Sequence, residues 1–129
     1  MVVIRPYRPA DLAAVSEVCL RTGHAGQDAR PFYPDRDLLP DVFVRPYLAA
    51  EPELSFVADD AGRAVGYLVG TASTAGFVAW WRAEWLPRLT RRHPSWPPAA
   101  GSVAGSAGGP AAGSAAGSVD WPRAMTAAL

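Results

Sequence analysis

A long stretch without charge limits how much of this chain can fold. From Ser95 to Val119 the sequence has no Asp, Glu, Lys, Arg or His and consists almost entirely of Ala, Gly, Ser and Pro. Such a segment lacks the large apolar side chains whose burial offsets the entropy lost on ordering. In this chain of 129 residues, we therefore expect one folded unit over residues 1–94 and a disordered low-complexity tail over residues 95–129.

The charge balance excludes several classes of partner. Twelve basic and twelve acidic residues give zero formal net charge, and every basic residue is Arg. Such a chain has no overall basic field to attract nucleic acid or anionic lipid. The single cysteine, Cys19, excludes an intrachain disulfide and fits a reducing compartment. No apolar run reaches the roughly 18 residues of a membrane span. We therefore expect a cytoplasmic protein with no nucleic-acid or membrane partner.

The first elements are a strand and a helix. Val2–Ile4 are β-branched residues and predict a short strand that ends before Pro6. Pro9 and Asp11 suit the first turn of a helix, because proline needs no amide partner there and a negative charge complements the helix dipole. Apolar residues then recur at helical spacing, which predicts a helix over residues 9–22 that ends at Gly23. They are Leu12, Val15 and Cys19.

Prolines and glycines dominate the next part of the chain. Residues 23–36 are rich in Gly, Pro and Asp and predict a loop. Residues 37–44 predict a short helix that Pro40 interrupts. We expect Pro46 and Pro52 to break the chain again before the next strand.

A β-hairpin is predicted over residues 54–74. Its first strand covers residues 54–58, with Leu54, Phe56 and Ala58 on one face. The turn at residues 59–62 ends in Gly62, which accepts the positive φ that such turns need. The second strand, residues 63–74, is almost wholly apolar and is therefore expected to be buried on both faces.

An aromatic helix is predicted over residues 76–92, with a kink at Pro87. Large apolar residues recur every four positions on one stripe, and we interpret the helix tryptophans as core anchors. The basic residues at its end, from Arg88 to His93, are expected to complement the helix dipole. The stripe consists of Phe77, Trp81, Trp85 and Leu89, with Trp80 beside it.

The loop after the first helix holds the candidate site residues His24, Gln27, Asp28 and Tyr33. One interpretation, favoured by the residues alone, is a solvated loop in which Asp28 makes local turn hydrogen bonds. The other is a substrate-facing loop, in which Asp28 holds a cationic or hydroxyl-bearing group and His24 exchanges a proton. No spacing of His, Cys or carboxylates predicts a metal site, and Cys19 is expected to be a buried structural thiol.

Several segments resemble the GNAT superfamily of acetyltransferases. IRPYRPADLAAVSEVCLRTG (residues 4–23) resembles their first strand and helix, and ELSFVADDAGRAVGYLVGT (residues 53–71) resembles their second and third strands, with a typical G-Y-x-x-G stretch. The run Thr22–Ala29, the pair Pro46-Tyr47 and the segment Trp85–Pro87 resemble one subgroup. That subgroup comprises the acetyltransferase-like domain attached to O-GlcNAc hydrolases and its bacterial relatives, and the resemblance covers about residues 3–94.

The resemblance implies a partial GNAT fold of α/β (α+β) class, with mainly antiparallel strands and packed helices. The implied activity is acetyl transfer from acetyl-CoA to an amine, and GNAT domains continue with a Q/R-x-x-G-x-G/A loop that binds the acetyl-CoA pyrophosphate. This sequence has no such loop. We therefore expect a truncated and inactive acetyltransferase that lacks the acetyl-CoA-binding second half, with no cofactor-binding residue and no metal. The implied acceptor-side residues are His24, Gln27, Asp28, Tyr33 and Tyr67.

Two alternatives stay open. The chain is either a non-catalytic binding or interaction module, or a gene fragment whose tail comes from a shifted reading frame. The abrupt change in composition after Pro94 favours the shifted frame. Without a fourth strand, the strand at residues 63–74 would leave an unpaired apolar edge, which predicts self-association.

Overall fold

A three-stranded antiparallel sheet and five short helices make up the described part of the chain. The computed structural model describes residues 1–96. The predicted α+β class with antiparallel strands is confirmed. Within the described residues, no helix is long and apolar enough to cross a membrane. In chain order along the sheet, the strands are β1 (Val2–Pro6), β2 (Phe56–Asp60) and β3 (Arg63–Leu68).

The helices lie between β1 and β2 and after β3. Pro9–Asp11 forms a short 3-10 turn, and Pro52–Leu54 forms another before β2. A π-helical segment, Trp81–Trp85, separates the last two helices. This segment ends two residues before Pro87, where the kink was predicted. The helices are α1 (Leu12–Thr22), α2 (Leu38–Phe43), α3 (Arg45–Ala50), α4 (Thr74–Trp80) and α5 (Leu86–Arg92).

One proline prediction was wrong and another was confirmed. Pro40 does not interrupt its helix, because it is the third residue of α2, where an amide has no intrahelical partner to lose. The chain does break before Pro46, because α2 ends at Phe43 and Val44 is not helical, and Pro46 then occupies the first turn of α3, a helix that the sequence did not predict. Both prolines therefore lie where a helix tolerates them best.

The end of α1 depends on space rather than on an unusual backbone angle. Gly23 has a right-handed φ of −71°. A Cβ at this position would lie 3.1 Å from Leu39 Cδ1 and 3.3 Å from Ala29 Cβ. Glycine at this position therefore allows the following loop and α2 to pack closely against α1.

One face of the sheet packs against α1. Val57 is buried there against the first core cluster, whereas Phe56 and Ala58 share the opposite face, as predicted. The strand begins two residues later than predicted, and Leu54 lies in the 3-10 turn before it. The first core cluster contains Val15, Cys19, Leu20, Ala29, Leu39, Val44, Leu48, Val57 and Ala64.

The opposite face of the sheet is apolar and is left uncovered by residues 1–96. Strand pairing places Ile4, Phe56 and Leu68 on this side, which we call the open face, and they are 68%, 38% and 62% exposed. The prediction that the third strand is buried on both faces was therefore wrong for the described residues. That strand also ends at Leu68, and no described strand pairs with its outer edge.

A second core cluster lies between α2 and the helices that follow β3. Phe77, Trp81 and Leu89 of the predicted stripe are buried there, while Trp80 and Trp85 pack at its margin, so the tryptophans are core anchors as predicted. Trp96 is also buried in this cluster, two residues beyond the predicted domain boundary. The predicted disorder of the tail stays a prediction, because residues 97–129 lie outside the described part.

The hairpin turn suggests a stabilising substitution. Gly62 has the predicted positive φ of 87°, but Ala61 is also left-handed with a φ of 51°, which disfavours a residue with a Cβ. We expect Ala61→Asn to raise the free energy of unfolding by about 0.5–1 kcal/mol, because Asn-Gly suits this turn. Urea unfolding measures the change. The control Ala49→Asn, at an exposed position in α3, should instead lower the free energy of unfolding. Equal changes in the two variants would contradict the prediction.

Candidate functional site

An open cleft of about 630 Å³ lies between the start of α1, the α2–α3 pair and the end of α5. Its size is within the range of small-molecule sites. One side is apolar and includes Tyr7, Leu12, Leu48 and Trp85. The other side carries charged groups, which are Asp35, Asp37, Arg45, Arg92 and His93.

A buried carboxylate organises the charged side of the cleft. Asp41 is 1% exposed. Its Oδ1 accepts a hydrogen bond from Arg45 Nη1 at 2.7 Å, and its Oδ2 accepts from Arg92 Nη1 at 2.9 Å. The backbone oxygen of the same residue accepts from Trp85 Nε1 at 2.8 Å. One residue of α2 therefore ties α3, the π-helical segment and α5 together.

His93 completes this cluster at the end of α5. Its imidazole is buried, with Nε2 lying 2.9 Å from Asp41 Oδ2 and Nδ1 in contact with Asp35 Oδ2. Burial alone would lower the pKa of His93, but the hydrogen bonds to the two aspartates outweigh burial and raise it. Burial alone would raise the pKa of Asp41, but its hydrogen bonds with His93, Arg45 and Arg92 outweigh burial and lower it. The contacts of the pair therefore favour the imidazolium form of His93 and the carboxylate form of Asp41.

Charge is balanced across the whole cluster. Arg45 Nη2 also donates to Asp37 Oδ1 at 2.8 Å. The aspartates at positions 35, 37 and 41 thus face two arginines and one protonated histidine. We call these six residues the ion cluster. The buried members, Asp41 and His93, are tolerated inside the protein because each has a counter-charge and a hydrogen bond.

The ion cluster makes stability depend on pH. The raised pKa of His93 contributes stability that is fully present below about pH 6.5 and is lost as the pH rises through its folded-state pKa. The lowered pKa of Asp41 contributes stability that is lost only in acid. Urea unfolding measured at increasing pH above about 6.5 should show falling stability. His93→Gln should remove this decline in stability, whereas the control His24→Gln should keep it. A decline that His93→Gln leaves unchanged would contradict its assignment to His93.

The predicted site residues in the loop after α1 form a separate exposed turn. His24 and Gln27 exchange two backbone hydrogen bonds of 3.0 and 2.9 Å, and the imidazole of His24 stacks on the ring of Phe32. Asp28 Oδ1 accepts a hydrogen bond from the Arg30 amide at 2.9 Å. Side-chain hydrogen bonds from Arg30 lower the pKa of Asp28 to about 2. These are the local turn hydrogen bonds of the first interpretation.

The two predicted tyrosines lie elsewhere. Tyr33 and Tyr67 are partly buried against the first core cluster. Burial, followed by the neighbouring Cys19 thiol, raises the pKa of Tyr67, and burial also raises the pKa of Cys19. The cysteine is thus buried as predicted. None of the five predicted acceptor-side residues lines the cleft.

The ion cluster was missed by the sequence analysis, although part of it carries a signal. Asp37, Asp41 and Arg45 are spaced four apart, as expected for neighbours on one helical face. The contacts of Asp41 with Arg92 and His93 span more than 50 residues of sequence, and no local pattern predicts them. Arg92 and His93 were expected only to complement the dipole of their helix. Within residues 1–96, no group of His, Cys, Asp and Glu is arranged to hold a metal ion.

Comparison with known proteins links the chain to two kinds of relative. No family model matches it. Over 90 residues it is 30% identical to Protein O-GlcNAcase from Rattus norvegicus and to Protein O-GlcNAcase from Mus musculus, covering 70% of this chain. The crystal structure of SsHAT matches with a TM-score of 0.69 and 54% identity over 72% of this chain. The chain spans 10% of the length of these curated relatives and 46% of the SsHAT chain.

These matches support a GNAT-like relationship for the chain. At 54% identity, the similarity to SsHAT establishes a shared fold over the matched part. The subgroup resemblance named acetyltransferase-like domains attached to O-GlcNAc hydrolases, and the two mammalian relatives carry that hydrolase name. Because the chain spans only a small part of those relatives, their activity is not transferred to it.

Proposed function

We propose that residues 1–96 form the acceptor-side half of a GNAT-type N-acetyltransferase domain, and that this chain alone does not catalyse acetyl transfer. The match to SsHAT carries the proposal, because most of this chain corresponds at 54% identity to less than half of that chain. The open face of the sheet gives further support. A sheet of this kind normally packs a second layer against each apolar face.

The described residues do not fit acetyl-CoA. The resemblance places the pyrophosphate-binding loop after a fourth strand, whereas the described sheet has three strands. The Q/R-x-x-G-x-G/A pattern is also missing from the printed sequence. Without such a loop no row of backbone amides faces the pyrophosphate, so we assign no step of the reaction to this chain.

We place the acceptor in the cleft rather than on the exposed turn at His24. The cleft encloses about 630 Å³ and combines the aromatic side chains of Tyr7 and Trp85 with a carboxylate, Asp37, which is largely exposed. An aromatic wall beside a carboxylate suits a protonated amine. Asp37 and Asp28 each pair with an arginine, but Asp37 accepts from Arg45 through Oδ1, whereas both carboxylate oxygens of Asp28 accept from Arg30.

A titration and a chimera test this proposal together. In calorimetry, acetyl-CoA should give no binding heat with the chain alone. A chimera in which residues 1–94 replace the matched part of SsHAT should fold and take up acetyl-CoA as SsHAT itself does. Micromolar binding by the chain alone would overturn the proposed loss of activity. A soluble, folded chimera that differs from SsHAT in acetyl-CoA binding would overturn the proposed family role.

A non-catalytic interaction module is the second candidate. The open face favours it, because Ile4 and Leu68 are both more than half exposed on one side of the sheet. Exposed apolar surfaces of this kind commonly mark contact sites with other proteins. This candidate predicts a binding partner for the open face and no role for the cleft.

A further inference from the structure

The two carboxylates that face His93 are in very different environments. Asp41 is almost fully buried and also accepts hydrogen bonds from Arg45 and Arg92. The side chain of Asp35 is 51% exposed and belongs to the loop before α2. Its Oδ1 accepts a hydrogen bond from the Asp37 amide at 3.0 Å. Water can therefore replace the histidine at Asp35 but not at Asp41.

Loss of one proton leaves His93 with a single N–H for these two carboxylates. The cost of a missing hydrogen bond is much higher for a buried group than for a hydrated one. The remaining N–H is therefore best kept on Nε2, where it donates to Asp41. Nδ1 then turns a lone pair towards the carboxylate of Asp35, and the contact becomes repulsive.

We propose that proton loss from His93 opens the cleft by releasing the loop that carries Asp35, while Asp41 keeps α2 and α5 joined. Asp35 and Asp37 both line the cleft, and the hydrogen bond between them couples their movement. The opened cleft has a wider mouth and one more hydrated carboxylate. This device is independent of the proposed acetyltransferase role.

The charged groups around the imidazole come from each element that meets it. Asp35 and Asp37 lie on the loop, Asp41 on α2, Arg45 on α3, and Arg92 on the same helix as His93. With His93 protonated, three cations face three carboxylates. After proton loss the carboxylates are in excess by one charge, which adds to the repulsion at Asp35. The raised pKa of His93 places the transition above the ordinary histidine value of about 6.5.

NMR of the full, ¹⁵N-labelled chain tests the proposal without any substitution. Ring nitrogen shifts should show that neutral His93 carries its proton on Nε2. The amide signals of Asp35 and Asp37 should shift with the same midpoint, and exchange of the Asp37 amide should accelerate at least roughly tenfold beyond that predicted from pH alone. The indole N–H of Trp85, bonded to the Asp41 backbone, should stay protected. A proton retained on Nδ1, or loop amides that do not follow the His93 titration, would overturn the proposal.

A matched pair of variants adds an independent readout. Asp35→Asn should lower the midpoint of the His93 titration, because it removes the exposed carboxylate that stabilises the imidazolium. Asp28→Asn, in the exposed turn with Arg30, should leave that midpoint unchanged. An unchanged midpoint in folded Asp35→Asn would also overturn the proposal, since His93 would then not sense the loop.

Discussion

Replacing Asp41 with Ala should lower the free energy of unfolding by about 3–5 kcal/mol, the cost of leaving a buried ion network without one partner. Asp41 is the only carboxylate of the ion cluster that is fully buried. Its removal leaves Arg45 and His93 without their main counter-charge inside the protein. Urea unfolding at neutral pH measures the loss, which is a large fraction of the about 5–15 kcal/mol that stabilises a typical domain.

Two further variants separate charge from volume and position. Asp41→Asn keeps the volume but replaces one accepting oxygen by an NH2 donor, so its loss reports the charge together with the hydrogen bonds that this oxygen accepts. Glu84→Ala removes an exposed pair with Arg88, whose atoms are 3.8 Å apart, and should cost less than about 0.5 kcal/mol. A loss in Asp41→Ala no larger than that in Glu84→Ala would show that the ion cluster does not hold the fold together.

The purified chain should associate as its concentration rises, and charge on the open face should prevent it. Ile4 and Leu68 are exposed apolar residues, and the neighbouring edge of β3 offers unpaired backbone groups in the described part of the chain. The double variant Ile4→Lys and Leu68→Lys should shift the mass measured by light scattering to that of a monomer. Lysine acts here as it does on natural edge strands, where its charge opposes further pairing.

A control on another surface makes this test specific. Phe32 is 61% exposed in the loop after α1, away from the sheet. Phe32→Lys should leave the association unchanged. A wild-type chain that stays monomeric at high concentration would argue against an open interacting face, as would an equal effect of Phe32→Lys.

Local sequence patterns predicted much of the fold correctly. The first strand, α1, the hairpin turn at Gly62 and the aromatic helix after β3 are all present near their predicted positions. Each depends on neighbouring residues, through β-branched runs, helical spacing or a positive φ. The failures occurred where two local signals competed. Pro40 was read as a helix breaker although it lies in the first turn of α2, and β2 was predicted to begin two residues too early.

The candidate site was predicted far less well. The loop residues His24 and Asp28 were chosen for their chemistry, but the structure gives Asp28 a local partner, Arg30, and stacks His24 on a loop aromatic residue. The ion cluster was missed for a different reason. Arg92 and His93 were expected to complement the dipole of their helix, and the aspartates were given no role, because the sequence does not show that α5 lies against α2.

The sequence by itself determined most of the helices and strands within residues 1–96, because composition and periodicity act over a few neighbouring residues. It also determined the GNAT-like resemblance, which the similarity to SsHAT supports. Only the tertiary structure decided that Asp41 and His93, 52 positions apart, share one buried pair of charges. It also decided that residues 1–96 leave one side of the sheet uncovered. Both depend on how the packed elements meet. Burial and hydrogen bonds then shift the pKa of each charged group, and the apolar side chains that stay unburied remain in contact with water.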